Sequence, residues 1–181
     1  ETGVYAPDLL PARRSDFLMQ QMCRQIDRVQ LALGREIVLE NPSHYVHLDH
    51  EWDEPDFLNT LSRRSGCKLL VDINNVAVSA HNLGLQAQAW LDAIDGDRVA
   101  EIHLAGHDPD PLLGDVLWID SHASAVTDSV WSLYSRFIQR IGCKPTLIER
   151  DAEIPTYEVL QAEAERAREC LASAFHDTQT V

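Results

Sequence analysis

The sequence predicts an α/β fold built on a parallel sheet with helices over its faces. Three observations carry this. Segments with apolar residues at three- and four-residue steps alternate with short runs that are apolar throughout. Those runs lack the in-out alternation of a half-exposed sheet and read as buried parallel strands. Each run also ends in an acid or a histidine, at the strand end where α/β folds assemble their sites.

Taken in order, residues 15–33 form the first helix, with Phe17, Leu18, Met22, Ile26, Val29 and Leu33 on one face and Gly34 as its stop. Strand 36–40 follows, where Ile37, Val38 and Leu39 lead to Glu40 and Asn41-Pro42 breaks the run. A polar, histidine-rich loop then reaches helix 55–65, with Asp53 as N-cap and Gly66 as stop. Strand 68–72 comes next, then helix 85–94 and strand 99–104. A short strand at 116–120 is reached without an intervening helix. Helix 128–141, strand 145–149 and a last helix at 156–175 complete the series. Ser65-Gly66-Cys67-Lys68-Leu69-Leu70-Val71-Asp72 and Ile141-Gly142-Cys143-Lys144-Pro145-Thr146-Leu147-Ile148-Glu149 read as two copies of one module, in which Gly ends a helix and an acid closes a strand.

The composition fits such a domain. The chain has 181 residues, 45% hydrophobic and 24% charged, with 15 Lys or Arg against 29 Asp or Glu and a net charge of −14. A large phosphate-binding surface needs clustered cations, so nucleic acid is not expected as a partner. No apolar stretch approaches the roughly 20 residues of a membrane span, and no leader opens the sequence. Cys23, Cys67, Cys143 and Cys170 form no Cys-x-x-Cys pair and are expected as buried free thiols. A soluble, cytoplasmic protein is the expectation. Gly-x-Gly-x-x-Gly, Walker and Gly-x-Ser-x-Gly motifs are absent, which removes the common nucleotide and serine-hydrolase readings.

The chemistry lies at the strand ends: Glu40, Asp72 followed by Asn74 and Asn75, His103, Asp120 with His122, and Glu149. One terminal acid alone reads as a turn or helix cap. Five strands in series ending this way read as a metal centre, because carboxylates converging at one rim repel unless cations neutralise them. Mixed Asp, Glu and His donors suit iron, manganese or zinc. Asp120 and His122, two apart, share one side of an extended chain. Asp72 and Asn75 reach one site only if the chain turns between them. Seven ligands, Asn75 included, exceed the needs of one ion and suggest two or three.

Other residues are read more plainly. His44, His47 and His50 belong to a solvated loop rather than a separate metal clip. For His107, support of the ligands, substrate contact and a plain loop role stay open. Arg150 holds a substrate carboxylate or pairs with Asp151, and the four tryptophans pack in or near the core.

The motifs Leu39-Glu40-Asn41-Pro42-Ser43-His44-Tyr45, Leu69-Leu70-Val71-Asp72-Ile73-Asn74-Asn75-Val76, Glu101-Ile102-His103-Leu104-Ala105-Gly106-His107, Ile119-Asp120-Ser121-His122 and Pro145-Thr146-Leu147-Ile148-Glu149-Arg150-Asp151 resemble the multinuclear non-haem iron-dependent oxidative enzymes, in order from residue 2 to 171. The resemblance implies the (β/α)8 TIM barrel of the xylose isomerase-like superfamily. It implies two or three irons held by Glu40, Asp72, Asn75, His103, Asp120, His122 and Glu149, with Asn41, Asn74, His107 and Arg150 supporting ligands or substrate. It further implies dioxygen-dependent modification of cysteines in a ribosomally made precursor peptide, often with a partner protein that recognises the precursor. No single catalytic acid or base is named. The ligand order is also similar to that of endonuclease IV, a trinuclear zinc barrel, with Asn75 where that enzyme has a histidine.

Two departures stand out. Many relatives carry Asn-His-Gly where this chain has Asn82-Leu83-Gly84, so that histidine's role falls away unless neighbouring His81 takes it. The family's amino-terminal strands, which bring further histidine ligands, have no counterpart here. A full barrel takes about 250 residues and eight strands, so the five predicted strands read as the carboxyl-terminal five-eighths of one. Residues 1–175 are expected to form this partial barrel and 176–181 a flexible tail. The alternatives are an isomerase or phosphodiesterase of the same barrel class using zinc or manganese, and a non-catalytic truncated remnant.

Overall fold

The computed structural model of the chain describes residues 11–178, with side chains through residue 174. The predicted tail at 176–181 falls outside the residues whose side chains are described.

Helix α1 (Asp16–Leu33) starts where the Ser15 side chain accepts the Leu18 N–H, and ends at Gly34, whose φ of 64° suits a residue without Cβ. Strand β1 (Val38–Glu40), helix α2 (Glu54–Ser65) and strand β2 (Lys68–Asp72) follow. Helix α3 (Ile73–Leu83) then begins with no intervening loop. A short α4 (Ala87–Ala93) and a single 3-10 turn lead to β3 (Val99–Leu104). Next come β4 (Asp108–Asp110), β5 (Gly114–Ile119), α5 (Asp128–Ile141), β6 (Thr146–Ile148) and α6 (Tyr157–Thr178).

Four strands make one parallel sheet in the order β1-β2-β3-β6, so each strand pairs with the next one in the chain that joins the sheet. The helices form a row, α1 against α2, α2 against α4, α4 against α5 and α5 against α6. Leu69, Val71, Ile102 and Leu104 enter one core with Leu58, Leu91, Val130, Trp131, Tyr134, Phe137 and Ile138 from those helices. Alternation along the strands sends Glu40, Asp72, Glu101 and His103 to the opposite face, and the register sets Asp72 beside His103.

Three readings need correction. The segment predicted as a fifth sheet strand, 116–120, is extended, but it pairs antiparallel with β4 in a separate hairpin. Asp110 accepts the backbone N–H groups of Leu112 and Leu113, which closes the turn locally and lets β5 fold back on β4. Helix α3 was not predicted, although Ile73, Val76, Ala77, Ala80 and Leu83 recur at helical steps; every residue from Ile73 to Ala80 is buried, the polar Asn74, Asn75 and Ser79 included, so it lacks the solvent-facing side of a surface helix. The predicted burial of all four thiols also fails. The cysteines are free, but Cys67 alone is buried and Cys143 is exposed.

Candidate metal centre

Asp72 closes β2 and also caps α3, its Oδ1 accepting the Asn75 N–H at 2.7 Å. This is the turn that brings Asp72 and Asn75 to one place. Asn41 pins the junction like a surrogate strand. Its Oδ1 accepts the Asp72 N–H at 2.9 Å, its Nδ2 donates to Asp72 O at 3.1 Å, and its own carbonyl accepts Asn75 Nδ2 at 3.0 Å. The remaining oxygens, Asp72 Oδ2 and Asn75 Oδ1, are buried with no hydrogen-bond partner. A buried acceptor without a donor is costly, and two of them at the start of one helix suit a cation.

Around them, Glu40, Asp72, His103 and Glu149 each offer a ligand atom, all within 4.8 Å of one another. His103 Nδ1 lies 3.0 Å from Glu149 Oε2 and 4.0 Å from Glu40 Oε1, while its Nε2 lies 3.6 Å from Glu101. A second group, His122, Glu149 and Asp151, shares Glu149 with the first. A cleft of about 300 Å³ opens over both, lined by Glu40, Asn75, Asp120, His122, Glu149 and Asp151 among others.

Electrostatics follow from this crowding. Burial pushes the Asp72 carboxyl up to about 8, against the Asn75 N–H that favours its anion. For Glu40, burial outweighs the pull of His103 and raises its pKa. Burial alone would lower that of His122, but Asp120, Asp72 and Glu149 raise it to about 9. Protons thus take up part of the negative charge that a metal would neutralise.

Asp120 stands outside both groups and reaches them through His122, its Oδ1 lying 2.8 Å from His122 Nε2. It is held from behind by a chain in which His107 Nδ1 meets Asn74 Oδ1 at 2.7 Å and Asn74 Nδ2 donates to Asp120 Oδ1 at 2.7 Å. Burial lowers the His107 pKa and favours its neutral ring. Among the described residues Arg150 does not pair with Asp151, as one reading of the sequence had it. It turns inward, pairing with Glu163 at 2.9 Å and donating to Ala123 O at 3.0 Å. Its side chain is only 6% exposed, so the apolar surroundings favour the paired carboxylate of α6 over the exposed Asp151.

His44 also departs from the solvated-loop reading. It is buried, with Nε2 2.6 Å from Glu54 Oε1, while His47 on the same loop is exposed. Sequence reasoning missed Asp151. The signal was available, since Glu149 and Asp151 have the same two-residue spacing as Asp120 and His122.

The hairpin is anchored to α3. Asn82 accepts the Trp118 N–H and donates to Trp118 O, both at 2.9 Å, and Trp118 stacks on His81 and His107. His81 Nε2 meets Asp115 O at 2.7 Å, so this ring supports the hairpin and stands outside both donor groups. Asn82→Ala is expected to lower stability by about 1–2 kcal/mol through two lost backbone partners. Urea unfolding checks it, with an unchanged midpoint as the contrary result.

Residues 1–172 match the family described as RiPP precursor modification enzyme MbnB/TglH/ChrH. The chain belongs to this family. The UPF0276 protein of Caulobacter sp. (strain K31) is 52% identical over 166 residues, covering 91% of this chain and 60% of the relative. That of Caulobacter vibrioides (strain NA1000 / CB15N) is 51% identical over 172 residues, covering 94% and 61%. A Vibrio parahaemolyticus relative is 44% identical over 169 residues, covering 91% and 58%. The chain therefore spans about 60% of the length of the curated relatives it matches. Among the described residues, no helix is long and apolar enough to cross a membrane.

Proposed function

We propose that the chain forms the metal-binding rim of an iron-dependent oxidase that uses dioxygen at a di- or tri-iron centre to modify cysteines of a ribosomally made precursor peptide. The observation that carries this reading is the convergence of Glu40, Asp72, His103 and Glu149 within 4.8 Å, in a chain of a family named for modifying such precursors. Further support is the sequential parallel order of the strands, with donors on one face and helices on the other, as in part of a (β/α)8 barrel.

Glu40, Asp72, Asn75, His103, Asp120, His122 and Glu149 fit iron, with zinc or manganese as the alternative by donor chemistry. When bound, iron would supply one-electron chemistry with dioxygen. The chain's own residues hold and orient. Asn41 fixes the backbone of Asp72, and Asn74 with His107 fixes Asp120. Glu149 serves both donor groups, so one carboxylate sets the spacing between them. The cleft over His122, Glu149 and Asp151 gives a peptide side chain a place to enter. A partner protein that presents the precursor belongs to the same reading.

Family membership favours peptide modification over a sugar isomerase or phosphodiesterase. The test is an aerobic assay of anaerobically iron-loaded chain with the cysteine-containing precursor encoded beside its gene. The expected result is a mass change on the cysteine-bearing fragment. No change at full iron content refutes the oxidase reading, and activity with zinc alone replaces it.

A further inference from the structure

We propose that the cavity between α1, the end of β1 and the start of α2 is the pocket for the peptide residue beside the modified cysteine. That residue lays an aliphatic or aromatic side chain on an apolar floor and turns its main-chain carbonyl to Arg14. The inference rests on the proposed function for the class of its occupant, and the cavity touches the donor groups only at Glu40.

The cavity holds about 320 Å³. Its floor is Leu18, Met22, Leu39, Phe57 and Leu58, and Arg14, His44 and Glu54 form a polar wall. An apolar lining with a few fixed polar groups is the usual make-up of a ligand pocket, and this volume lies at the small end of the range, where one large side chain fits.

The wall is a fixed assembly. The side chains of His44, Glu54 and Arg14 are only 10%, 12% and 16% exposed. His44 Nε2 lies 2.6 Å from Glu54 Oε1, and Trp90 Nε1 donates to Glu54 Oε2 at 3.0 Å. Burial alone would raise the Glu54 pKa, but His44, Arg14 and Trp90 together bring it below the ordinary value, so the carboxylate stays an anion. Arg14 is placed by its Nε, which donates to Trp52 O at 3.2 Å, and by its backbone N–H, which donates to His50 Nδ1 at 3.0 Å. Its terminal nitrogens make no hydrogen bond among the described residues, the nearer one standing 3.7 Å from Glu54 Oε1. A guanidinium held by its Nε, balanced in charge by a nearby carboxylate and left with donors to spare, suits a neutral acceptor such as a peptide carbonyl.

Position decides the occupant. Glu40, Pro42 and Ser43 line both this cavity and the cleft over the metal donors. Successive side chains of an extended peptide point to opposite sides. A peptide crossing the segment from Glu40 to Ser43 therefore sends its cysteine into the cleft and the neighbouring side chain into the pocket.

The test is a heteronuclear NMR titration of the whole metal-free, nitrogen-labelled chain with N-acetylated, amidated dipeptides that join cysteine to Gly, Leu or Phe. The Trp90 indole N–H, bonded to Glu54, reports from the pocket wall. Leu and Phe peptides are expected to shift it and to bind at least about tenfold more tightly than the Gly peptide, the effect of burying one such side chain. Arg14→Met should weaken every peptide about tenfold, as loss of a hydrogen bond to a charged group does. Leu18→Trp, which fills the floor, should abolish the preference for Leu and Phe. The remaining signals monitor the fold of both variants. No shift at Trp90, equal binding of Gly and Phe peptides, or unchanged binding in either folded variant overturns the proposal. Because no metal takes part, the outcome is separate from the oxidase assay. A mass change on the precursor without this binding pattern refutes the pocket alone, and the pattern without a mass change keeps the pocket and refutes the oxidase.

Discussion

Glu149→Gln is expected to strip metal from both donor groups at once. Glu149 is the residue the two groups share, and its backbone N–H is tied to Leu104 O at 2.9 Å, so the carboxylate cannot easily be replaced by a neighbour. An amide keeps the size but loses the anionic donor. Metal retained after gel filtration should fall at least about 100-fold, beyond the upper end of the effect of altering a residue that merely supports a ligand. The metal-free variant should be as stable as wild type or more so, because one of several crowded carboxylates has gone. Metal analysis and thermal melts of the metal-free proteins check the two halves. Retention of one full equivalent would show that the groups bind independently.

The second large effect concerns protons at Asp72. Its folded pKa, about 8, lies above the ordinary aspartate value of 3.8. The folded chain therefore binds a proton that the unfolded chain releases between about pH 4 and 8. By linkage, the contribution of Asp72 to the stability of the metal-free protein is full below that window and is lost as pH rises through 8. His122, raised from 6.5 to about 9, acts in the same direction between those values. Above pH 8, Asp72→Asn should be more stable than wild type by about 1–3 kcal/mol, the penalty of a buried polar group without a partner. For a chain of this size that is about 2–12 °C in Tm. Metal reverses the slope for wild type, because cation binding displaces the same protons and tightens as pH rises. Melting curves from pH 4 to 9, with and without metal, provide the measurement. A flat metal-free profile for wild type would count against the burial of Asp72.

The strand ends were readable because the parallel sheet leaves its chemistry in one place along the sequence. Glu40, Asp72, His103 and Glu149 each follow or close an apolar run, and the register brings them to one face. Helix caps were equally local. Ser15 and Gly34 bound α1 as their residue types require. What escaped was set by burial rather than pattern. Helix α3 buries its polar Asn74, Asn75 and Ser79 together with its apolar residues, and the 116–120 strand carries no mark of which sheet it joins. Arg150 had two charged neighbours in sequence terms, yet it found Glu163 on a distant helix. His44 looked like one of three loop histidines until α2 supplied Glu54.

Residue type and short-range spacing were enough for the alternation of helix and strand, for the family motifs and for most of the side chains that converge at the strand ends. Tertiary structure decided which donors meet. It set Asp120 behind His122, brought Asp151 forward and gave Glu149 to both groups. Donor geometry depends on which strand faces which, on how a helix starting at Asp72 turns the chain, and on desolvation by distant segments. These are long-range contacts, and no local pattern encodes their distances.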